Sequence, residues 1–230
     1  AMHNGPGIAV GKFASVPGIR TTAGAFFDIE VIGKGGHGAF PQFAIDPITI
    51  AAEIISAIQT IISRATSPNE SAVLSITKMH AGDAYNVIPE RAVLSGTVRT
   101  FTIEKMQEIE QQMVSISEGI SKAHGGTALV EFNTLFLPVL NEEEATDLAT
   151  EVCGEMVGRD NVITTGSAGT GSEDFSFMSN EVPGCYVIIG NGEDSNALHN
   201  PNFDFNDEAL VYGGSFFARV IEKELALDQV

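Results

Sequence analysis

Cysteine, basic residues and long apolar runs are all scarce in this sequence of 230 residues. Its two cysteines, Cys153 and Cys185, lack the C-x-x-C spacing, so the sequence indicates neither a disulfide framework nor a cysteine zinc site. No apolar run approaches the length of a membrane span, and the first residues show no secretory signal pattern. We therefore expect a cytoplasmic protein without a membrane partner.

The shortage of basic residues gives the chain a strongly acidic balance. Twelve Lys and Arg stand against 30 Asp and Glu, which gives a formal net charge of −18. This balance argues against nucleic-acid binding, because that function requires a basic surface. The excess of acidic residues agrees with a solvated acidic surface. The hydrophobic content of 43% is ordinary for a globular protein.

The length of the chain allows one large domain or two small ones. Its first residue is Ala1 rather than methionine. Met2 is therefore either a start residue behind a tag remnant or an internal residue of a longer chain, and the sequence leaves both interpretations open.

Residues 23–138 predict a self-contained module with the element order β-α-β-β-α-β. The predicted elements are a strand from Ala25 to Ile32, a helix from Asp46 to Arg64, strands from Val73 to Ala81 and from Ala92 to Phe101, a helix from Ile103 to His124 and a strand from Ala128 to Leu137. This order is the ferredoxin-like pattern, in which both helices cover one face of a four-stranded sheet.

The apolar spacing of these two helices predicts which of their residues are buried. The expected inward residues of the first helix are Ile48, Ala51, Ala52, Ile55, Ile58 and Ile62. Those of the second helix are Met106, Ile109, Met113, Ile116 and Ile120. Asp46 is expected to cap the first helix, with Pro47 at its first position.

Residues 1–22 and 139–230 are expected to form a second, discontinuous domain, because the N-terminal segment is too small to fold alone. The elements predicted after residue 139 are a helix from Glu142 to Val157, a short helix beginning within Ser172 to Phe175, a buried strand from Tyr186 to Gly190 and a closing helix from Asp207 to Leu225. The expected inward residues of the closing helix are Leu210, Phe217, Val220, Ile221 and Leu225.

The segment from Gly33 to Pro41 is a glycine-rich loop with His37 at its centre. Four glycines in six residues let the backbone bend sharply and approach a ligand closely. An imidazole on such a loop can point into a cleft and donate a hydrogen bond to an oxyanion. A plain turn and a phosphate loop are the alternatives, and the Lys-Ser or Lys-Thr pair of a phosphate loop is absent.

Four further histidines are distributed along the chain. His3 and His199 each precede an asparagine in the discontinuous domain, where loop histidines can converge on a metal ion. Their wide spacing alone favours the simpler alternative of hydrogen-bonded loop histidines. His80 is expected to be a sheet residue, and His124 is expected to interact with the C-terminal end of a helix.

Several of these segments together resemble one enzyme family. They are His3-Asn4-x-Pro6-Gly7, Gly33-Lys34-Gly35-Gly36-His37-Gly38-Ala39-x-Pro41, Asp46-Pro47, His80-Ala81-Gly82, Asn86-Val87-Ile88-Pro89-Glu90, Gly96-Thr97-Val98-Arg99-Thr100-Phe101, Glu173-Asp174-Phe175 and the run from His199 to Asp207. In type and order they resemble the metal-dependent amidohydrolases of the hippurate hydrolase and aminoacylase type. The indole-acetyl-amino-acid hydrolases are close relatives of that family.

The resemblance implies a zinc-peptidase-like catalytic α/β domain that binds two divalent metal ions and hydrolyses the amide bond of N-acyl amino acids. An inserted ferredoxin-like lid would cover it and often dimerises in the family. His3 and His199 match two of the family's metal ligands. Zinc is the expected metal, with manganese, cobalt and nickel as alternatives.

The resemblance also implies roles for residues outside the metal ligands. His37 matches a lid histidine that stabilises the tetrahedral intermediate, in some relatives across a dimer. Asn86 and Arg99 lie in lid motifs that are close to the substrate carboxylate in relatives. Glu173 matches the family's Glu-Asp-Phe segment and is expected beside the metal ligands rather than among them.

The sequence departs from the family pattern in two places. Gln42 and Phe43 stand where the family usually has a histidine after the proline of the glycine-rich motif. The family's remaining ligands, a cysteine, a histidine and a glutamate, and its glutamate general base lie upstream of the segment that matches His3. We therefore expect the chain alone to lack a complete site, and a non-catalytic dimerisation or binding module is the alternative interpretation.

Overall fold

The chain folds into two units, as a computed structural model that describes residues 1–225 shows. Unit 1 comprises Ala1–Thr21 and Val139–Val230, and unit 2 comprises Thr22–Pro138. Unit 2 is therefore an insertion between the two segments of unit 1. The assignment of a catalytic role to one unit and a lid role to the other stays a prediction.

The described residues form twelve strands and five α-helices. The strands are β1 (Met2–Gly5), β2 (Phe13–Ala14), β3 (Gly18–Ile19), β4 (Ala23–Ile32), β5 (Gly36–His37), β6 (Ala72–Ala81), β7 (Val87–Ile88), β8 (Arg91–Thr100), β9 (Thr127–Phe136), β10 (Leu140–Asn141), β11 (Val162–Ile163) and β12 (Val187–Gly190). The helices are α1 (Pro47–Ala65), α2 (Ile103–Ala123), α3 (Glu143–Val157), α4 (Phe175–Ser179) and α5 (Ala209–Glu224). Short 3₁₀ turns cover Pro41–Phe43 and Arg159–Asn161.

Unit 2 contains a four-stranded antiparallel sheet in the order β6-β8-β4-β9. Along the central strand β4, Phe27, Ile29 and Val31 are buried, whereas Phe26 and Asp28 point to the exposed face. The buried face packs against α1 and α2 in one apolar core. The predicted fold class, with a ferredoxin-like β-α-β-β-α-β insertion, is confirmed.

Helix α1 begins as the sequence predicts, but its buried face differs from the expected one. The Asp46 carboxylate accepts a hydrogen bond from the backbone N–H of Ile48 at 2.9 Å, and Pro47 occupies the first position. The buried residues of the helix are Pro47, Ile50, Ala51, Ile54, Ile58 and Ile61. The prediction that Ile48 and Ala52 point inward is wrong, since both are exposed. Isoleucines occupy several faces of this helix, so apolar spacing fits more than one orientation.

By its length and its hydropathy, α1 would be able to span a membrane. By length and composition alone, the expectation that no apolar run reaches this length is therefore wrong. The helix packs its buried face against the sheet of unit 2, as a core helix does. Its opposite face carries Glu53 and Gln59, which are exposed.

Helix α2 follows its prediction closely. Met106, Ile109 and Met113 are buried, and Ile116 and Ile120 are half-buried against the same core. After its last residue, the backbone N–H of His124 donates to the Ile120 carbonyl, as expected for a residue at a helix C-terminus. The His124 ring also lies 3.0 Å from the Glu53 carboxylate on α1, so the two helices are linked by a side-chain contact. His80, on β6, is an exposed sheet residue.

Unit 1 contains a mixed sheet in the order β1-β12-β2-β11. Strand β12 pairs in parallel with β1 and antiparallel with β2, and β2 pairs in parallel with β11. A separate two-stranded pair joins β10 to β3. The buried core of this unit is formed by Phe13, Ala149, Val152, Cys153, Val187, Ile189, Ala209 and Phe216.

The orientation predicted for the closing helix α5 is wrong. Its buried residues are Ala209 and Phe216, whereas Leu210, Phe217 and Ile221 are exposed, and so is Leu225 just after the helix. Val220 is half-buried and packs against the core. Apolar residues occupy two faces of α5, so their spacing does not determine which of the two faces is buried.

A buried thiol in unit 1 makes the free energy of unfolding decrease at alkaline pH. Cys153 is fully buried, and this burial raises the pKa of its thiol from 9.0 to about 12. The folded state therefore keeps a proton that the unfolded chain loses first. The stabilisation is fully present below pH 9.0 and is lost as the pH rises towards the folded pKa.

We expect Cys153→Ala to lower the free energy of unfolding at neutral pH, because it leaves a cavity. This deficit should narrow by about 1 kcal/mol per pH unit above about pH 9, since the variant lacks the titrating thiol. Urea unfolding at several pH values measures the difference. The matched control is Val152→Ala, whose deficit should not change with pH, and a pH-independent deficit for Cys153→Ala would contradict the prediction.

Candidate active site

His3 lies in the interior of β1, opposite Ile188 of β12. Its Nδ1 atom is 2.7 Å from the carbonyl oxygen of Asn4. A carbonyl can only accept, so Nδ1 carries a hydrogen, and in the neutral ring Nε2 then keeps its lone pair. A backbone carbonyl bound to one ring nitrogen is the usual arrangement behind a histidine that ligates a metal through the other nitrogen. His3 is therefore in the form that a metal ligand requires.

Tyr186 connects the surroundings of His3 to Glu173. The Tyr186 ring centroid is 6.2 Å from that of His3, and its hydroxyl donates a hydrogen bond to Glu173 Oε2 at 2.9 Å. Burial, and then the bond to Glu173, raise the pKa of Tyr186, so the hydroxyl stays a donor. The other Glu173 oxygen accepts from the backbone N–H of Phe175 at 3.4 Å. Glu173 is thus held by two contacts, and one of them comes from a tyrosine whose ring is a neighbour of His3.

The segment around Glu173 differs in detail from the predicted capping motif. Helix α4 begins at Phe175, and the residue before it, Asp174, makes no capping bond with its side chain. The contact from the Phe175 amide to Glu173 replaces that bond. Sequence patterns did not identify Tyr186 as a site residue, because it precedes an apolar strand and its partner lies 13 residues away.

His199 lies in an exposed loop between β12 and α5. Its φ angle of 64° is in the left-handed region, where a residue other than glycine is uncommon. Asn191, which is almost fully buried after β12, anchors the C-terminal part of this loop. It donates to the Asp204 carbonyl at 3.0 Å and accepts from the Asn206 amide at 2.9 Å.

The structure does not group His3 and His199 into a complete ligand set. Within residues 1–225, no group of three or more His, Cys, Asp and Glu side chains is arranged to hold a metal ion. The donor type of His3 fits a metal ligand, and the remaining ligands are not assembled in the described part of the chain. The assignment of His3 and His199 as metal ligands stays a prediction.

In unit 2, the loops that carry His37 and Asn86 are joined by a short antiparallel pair. Strand β5 pairs with β7, with His37 opposite Val87. The next amide, that of Gly38, donates to the Asn86 carbonyl at 2.8 Å. His37 and Asn86 are both exposed, so two of the predicted site residues lie on neighbouring, accessible loops.

Two glycines of this loop lie close to neighbouring backbone atoms. A side chain at Gly33 would place its Cβ 2.1 Å from the Ile45 carbonyl oxygen. At Gly38 the corresponding distance to the Asn86 carbonyl oxygen is 3.3 Å, which is tighter than ordinary contact. The glycine-rich segment therefore packs against neighbouring backbone, which explains the glycines without a phosphate ligand.

Arg99 lies at the other end of the unit 2 sheet. On β8 it faces Gly24 of β4, whereas Arg91 faces Ile32, from which the chain continues to the His37 loop. Eight residue steps of about 3.3 Å separate the two arginines, or roughly 26 Å along the strand. The Arg99 guanidinium donates to Thr97 Oγ1 at 2.5 Å and to a backbone carbonyl, and it has no ion pair within residues 1–225.

The sequence matches one family along nearly its whole length. A family model described as peptidase family M20/M25/M40 matches residues 1–223. The N-acetylcysteine deacetylase of Bacillus subtilis is 36% identical over 220 residues, which cover 95% of this chain and 57% of that protein. The hippurate hydrolase of Campylobacter jejuni is 35% identical over 223 residues, covering 97% and 58%. The chain thus spans a little over half the length of these curated relatives.

The fold is shared with solved structures of the same family. A crystal structure from Bacillus subtilis, described as a dinuclear metal binding peptidase from the M20 family, superimposes with a TM-score of 0.77 at 30% identity. The match covers 95% of this chain and 55% of that chain. Because only about 5% of this chain is unmatched, the match includes residues of both segments of unit 1 and of the insertion.

The contact between Tyr186 and Glu173 generates a stability prediction. We expect Tyr186→Phe to lower the free energy of unfolding by about 1–3 kcal/mol, because one oxygen of a half-buried carboxylate loses its donor. Urea unfolding followed by circular dichroism measures the change. Tyr212→Phe is the control, since that hydroxyl has no hydrogen-bond partner in residues 1–225, and equal effects of the two variants would contradict the prediction.

Proposed function

The chain belongs to peptidase family M20/M25/M40, and on this premise we propose that it forms part of a metal-dependent enzyme that hydrolyses the amide bond of N-acyl amino acids. The family resemblance inferred from the motifs is thereby confirmed. The names of the two curated relatives support the substrate class, since N-acetylcysteine and hippurate are both N-acyl amino acids. The observation that carries the proposal is the His3 ring, whose hydrogen is bound by the Asn4 carbonyl.

Unit 1 supplies the residues that we assign to metal binding. His3 would ligate through Nε2, and His199 would approach from the exposed loop after β12. Divalent ions bound there, zinc or alternatively manganese, cobalt or nickel, would polarise the amide carbonyl and supply an activated water. Glu173, held by Tyr186, would accept hydrogen bonds from groups around the ligands rather than ligate itself.

Unit 2 supplies the residues that we assign to the substrate, in the role of a lid. His37 would donate a hydrogen bond to the oxyanion that develops on the attacked carbonyl. Asn86 lies beside it through the bond from the Gly38 amide to its carbonyl. Arg99 would bind the carboxylate of the amino acid, for which its planar, permanently charged guanidinium is suited.

The separation of these residues favours a homodimer. His37 and Asn86 lie beyond the Ile32 end of the unit 2 sheet, whereas Arg99 lies near the Gly24 end. A substrate as small as an N-acyl amino acid cannot contact both ends of one sheet. A second copy of the chain would allow one copy to supply His37 and the other to supply Arg99.

The edges of the unit 2 sheet provide surfaces for such a dimer. Strands β6 and β9 are the outer strands, and their unpaired backbone groups can pair with another copy. Exposed apolar side chains lie on both edges, namely Val73 and Met79 on β6 and Leu129 and Leu135 on β9.

The two cysteines are free thiols, which suits a reducing cytoplasm.

We expect the chain to sediment as a dimer at micromolar concentration. Met79→Lys and Leu135→Lys each place a charge on one edge, and the variant on the pairing edge should shift the chain towards monomer. Phe43→Lys, which changes an exposed side chain outside both edges, is the control and should stay dimeric. Sedimentation that shows only monomer for the unaltered chain at high micromolar concentration would contradict the proposal.

The number of metal-ligating residues limits the activity that we expect of this chain alone. Two histidines leave most coordination positions of a metal pair to water, and the described residues contain no larger ligand group. Loss of a general base typically costs about 10²–10⁴ in rate, and loss of bridging ligands also removes the activated water. A non-catalytic dimerisation or binding module is the competing proposal, and tightly held metal at one or two ions per chain would favour the enzyme.

We expect the purified chain, with added Zn²⁺, Mn²⁺ or Co²⁺, to release no amino acid from hippurate at an enzymatic rate. In a chimera, this chain would replace the matching 58% of the Campylobacter jejuni hippurate hydrolase. We expect this chimera to hydrolyse hippurate. His199→Ala in the chimera should abolish turnover, and His80→Ala, an exposed residue of unit 2, should not.

Two results would contradict these expectations. Turnover by the chain alone that disappears in His199→Ala would show that it carries a complete site. A chimera that folds and binds zinc but hydrolyses no N-acyl amino acid would remove the proposed substrate class.

A further inference from the structure

His37 is held by the backbone of its own loop. The amide N–H of Ala39 donates a hydrogen bond to His37 Nδ1, with a nitrogen–nitrogen distance of 3.1 Å. A backbone amide can only donate, so Nδ1 must present its lone pair. Of the two neutral tautomers of the ring, only the one with its hydrogen on Nε2 is compatible with this contact.

A second set of contacts fixes the plane of the imidazole. The ring of Phe40 lies with its centroid 5.3 Å from that of His37, at an interplanar angle of 54°. The Phe40 amide donates to the His37 carbonyl at 2.8 Å, which closes a turn over residues 37–40. The pair of β5 with β7 holds the other side of the loop. The ring is therefore oriented by contacts within unit 2.

We propose that Ala39 is a positioning residue, whose amide selects the Nε2–H tautomer of His37 so that this ring acts as a hydrogen-bond donor through Nε2. The role in catalysis rests on the proposed function, in which His37 donates to the oxyanion. A donor whose hydrogen is already in place needs no rearrangement when charge develops on the substrate. The opposite tautomer would present a lone pair to the oxyanion and would repel it.

The proposal can be tested by nitrogen NMR on the whole ¹⁵N-labelled chain, at a pH above the histidine range. Long-range proton–nitrogen spectra distinguish the protonated from the unprotonated ring nitrogen. His37→Gln assigns the signals by removing them. His80 serves as an internal reference, because it is exposed and its ring has no hydrogen bond in residues 1–225. We expect His37 to favour Nε2–H over Nδ1–H by at least about tenfold, and more strongly than His80 does.

A pair of variants at one position isolates the amide of Ala39. Ala39→Pro removes the N–H, and we expect the tautomer ratio of His37 to approach that of His80. Ala39→Gly keeps the N–H and should keep the ratio. The Gly38 amide, which donates to the Asn86 carbonyl, reports whether the loop has kept its structure in each variant. If Ala39→Pro disrupts the loop, the tautomer ratios of His37 and His80 in the unaltered chain still test the proposal.

The tautomer ratio measured by NMR does not depend on whether the chain hydrolyses amides. A ratio at His37 equal to that at His80, or a predominance of Nδ1–H, would overturn the inference and leave the proposed function untouched. A dominant Nε2–H form in a chain whose chimera is inactive would support the tautomer assignment and remove its proposed use.

Discussion

The ten-residue pairing of β4 with β8 determines where every candidate functional side chain of unit 2 lies. Its register runs from Ala23 opposite Thr100 to Ile32 opposite Arg91 without a shift. At the end where Ile32 faces Arg91, the Gly33 amide donates to the Glu90 carbonyl at 2.8 Å. The loop that leaves β4 and the loop that leads into β8 therefore lie side by side. A slip of one residue would exchange the buried and exposed faces of β4 and would separate these loops.

The order of elements in unit 2 was predictable because strand and helix patterns differ strongly in their periods there. Strand β4 alternates between buried and exposed residues, and α2 repeats its apolar residues every three or four positions. The faces of α1 and α5 were not predictable in the same way. Both helices carry apolar residues on more than one face, and only packing against the sheet decides whether Ile48 or Ile50, and Phe217 or Phe216, is buried.

The candidate site was predictable as a set of residue types, but not as a set of contacts. His3 and His37 could be identified from the motifs that surround them. The partner of each ring is a backbone group one or two residues away, and the direction in which that group points depends on local dihedral angles. Tyr186 was missed for a related reason, since its hydroxyl meets Glu173 only after β12 has been placed in its sheet.

The two histidines show how one side chain can serve opposite chemical needs. In unit 1, a carbonyl binds the hydrogen on Nδ1 of His3 and leaves a lone pair on Nε2, which suits a cation. In unit 2, an amide binds the lone pair on Nδ1 of His37 and leaves a hydrogen on Nε2, which suits an anion. Amide hydrolysis at a metal needs both, because the metal must be held while the carbonyl oxygen gains negative charge. The polarity of a single neighbouring backbone group therefore decides which of the two needs each imidazole can meet.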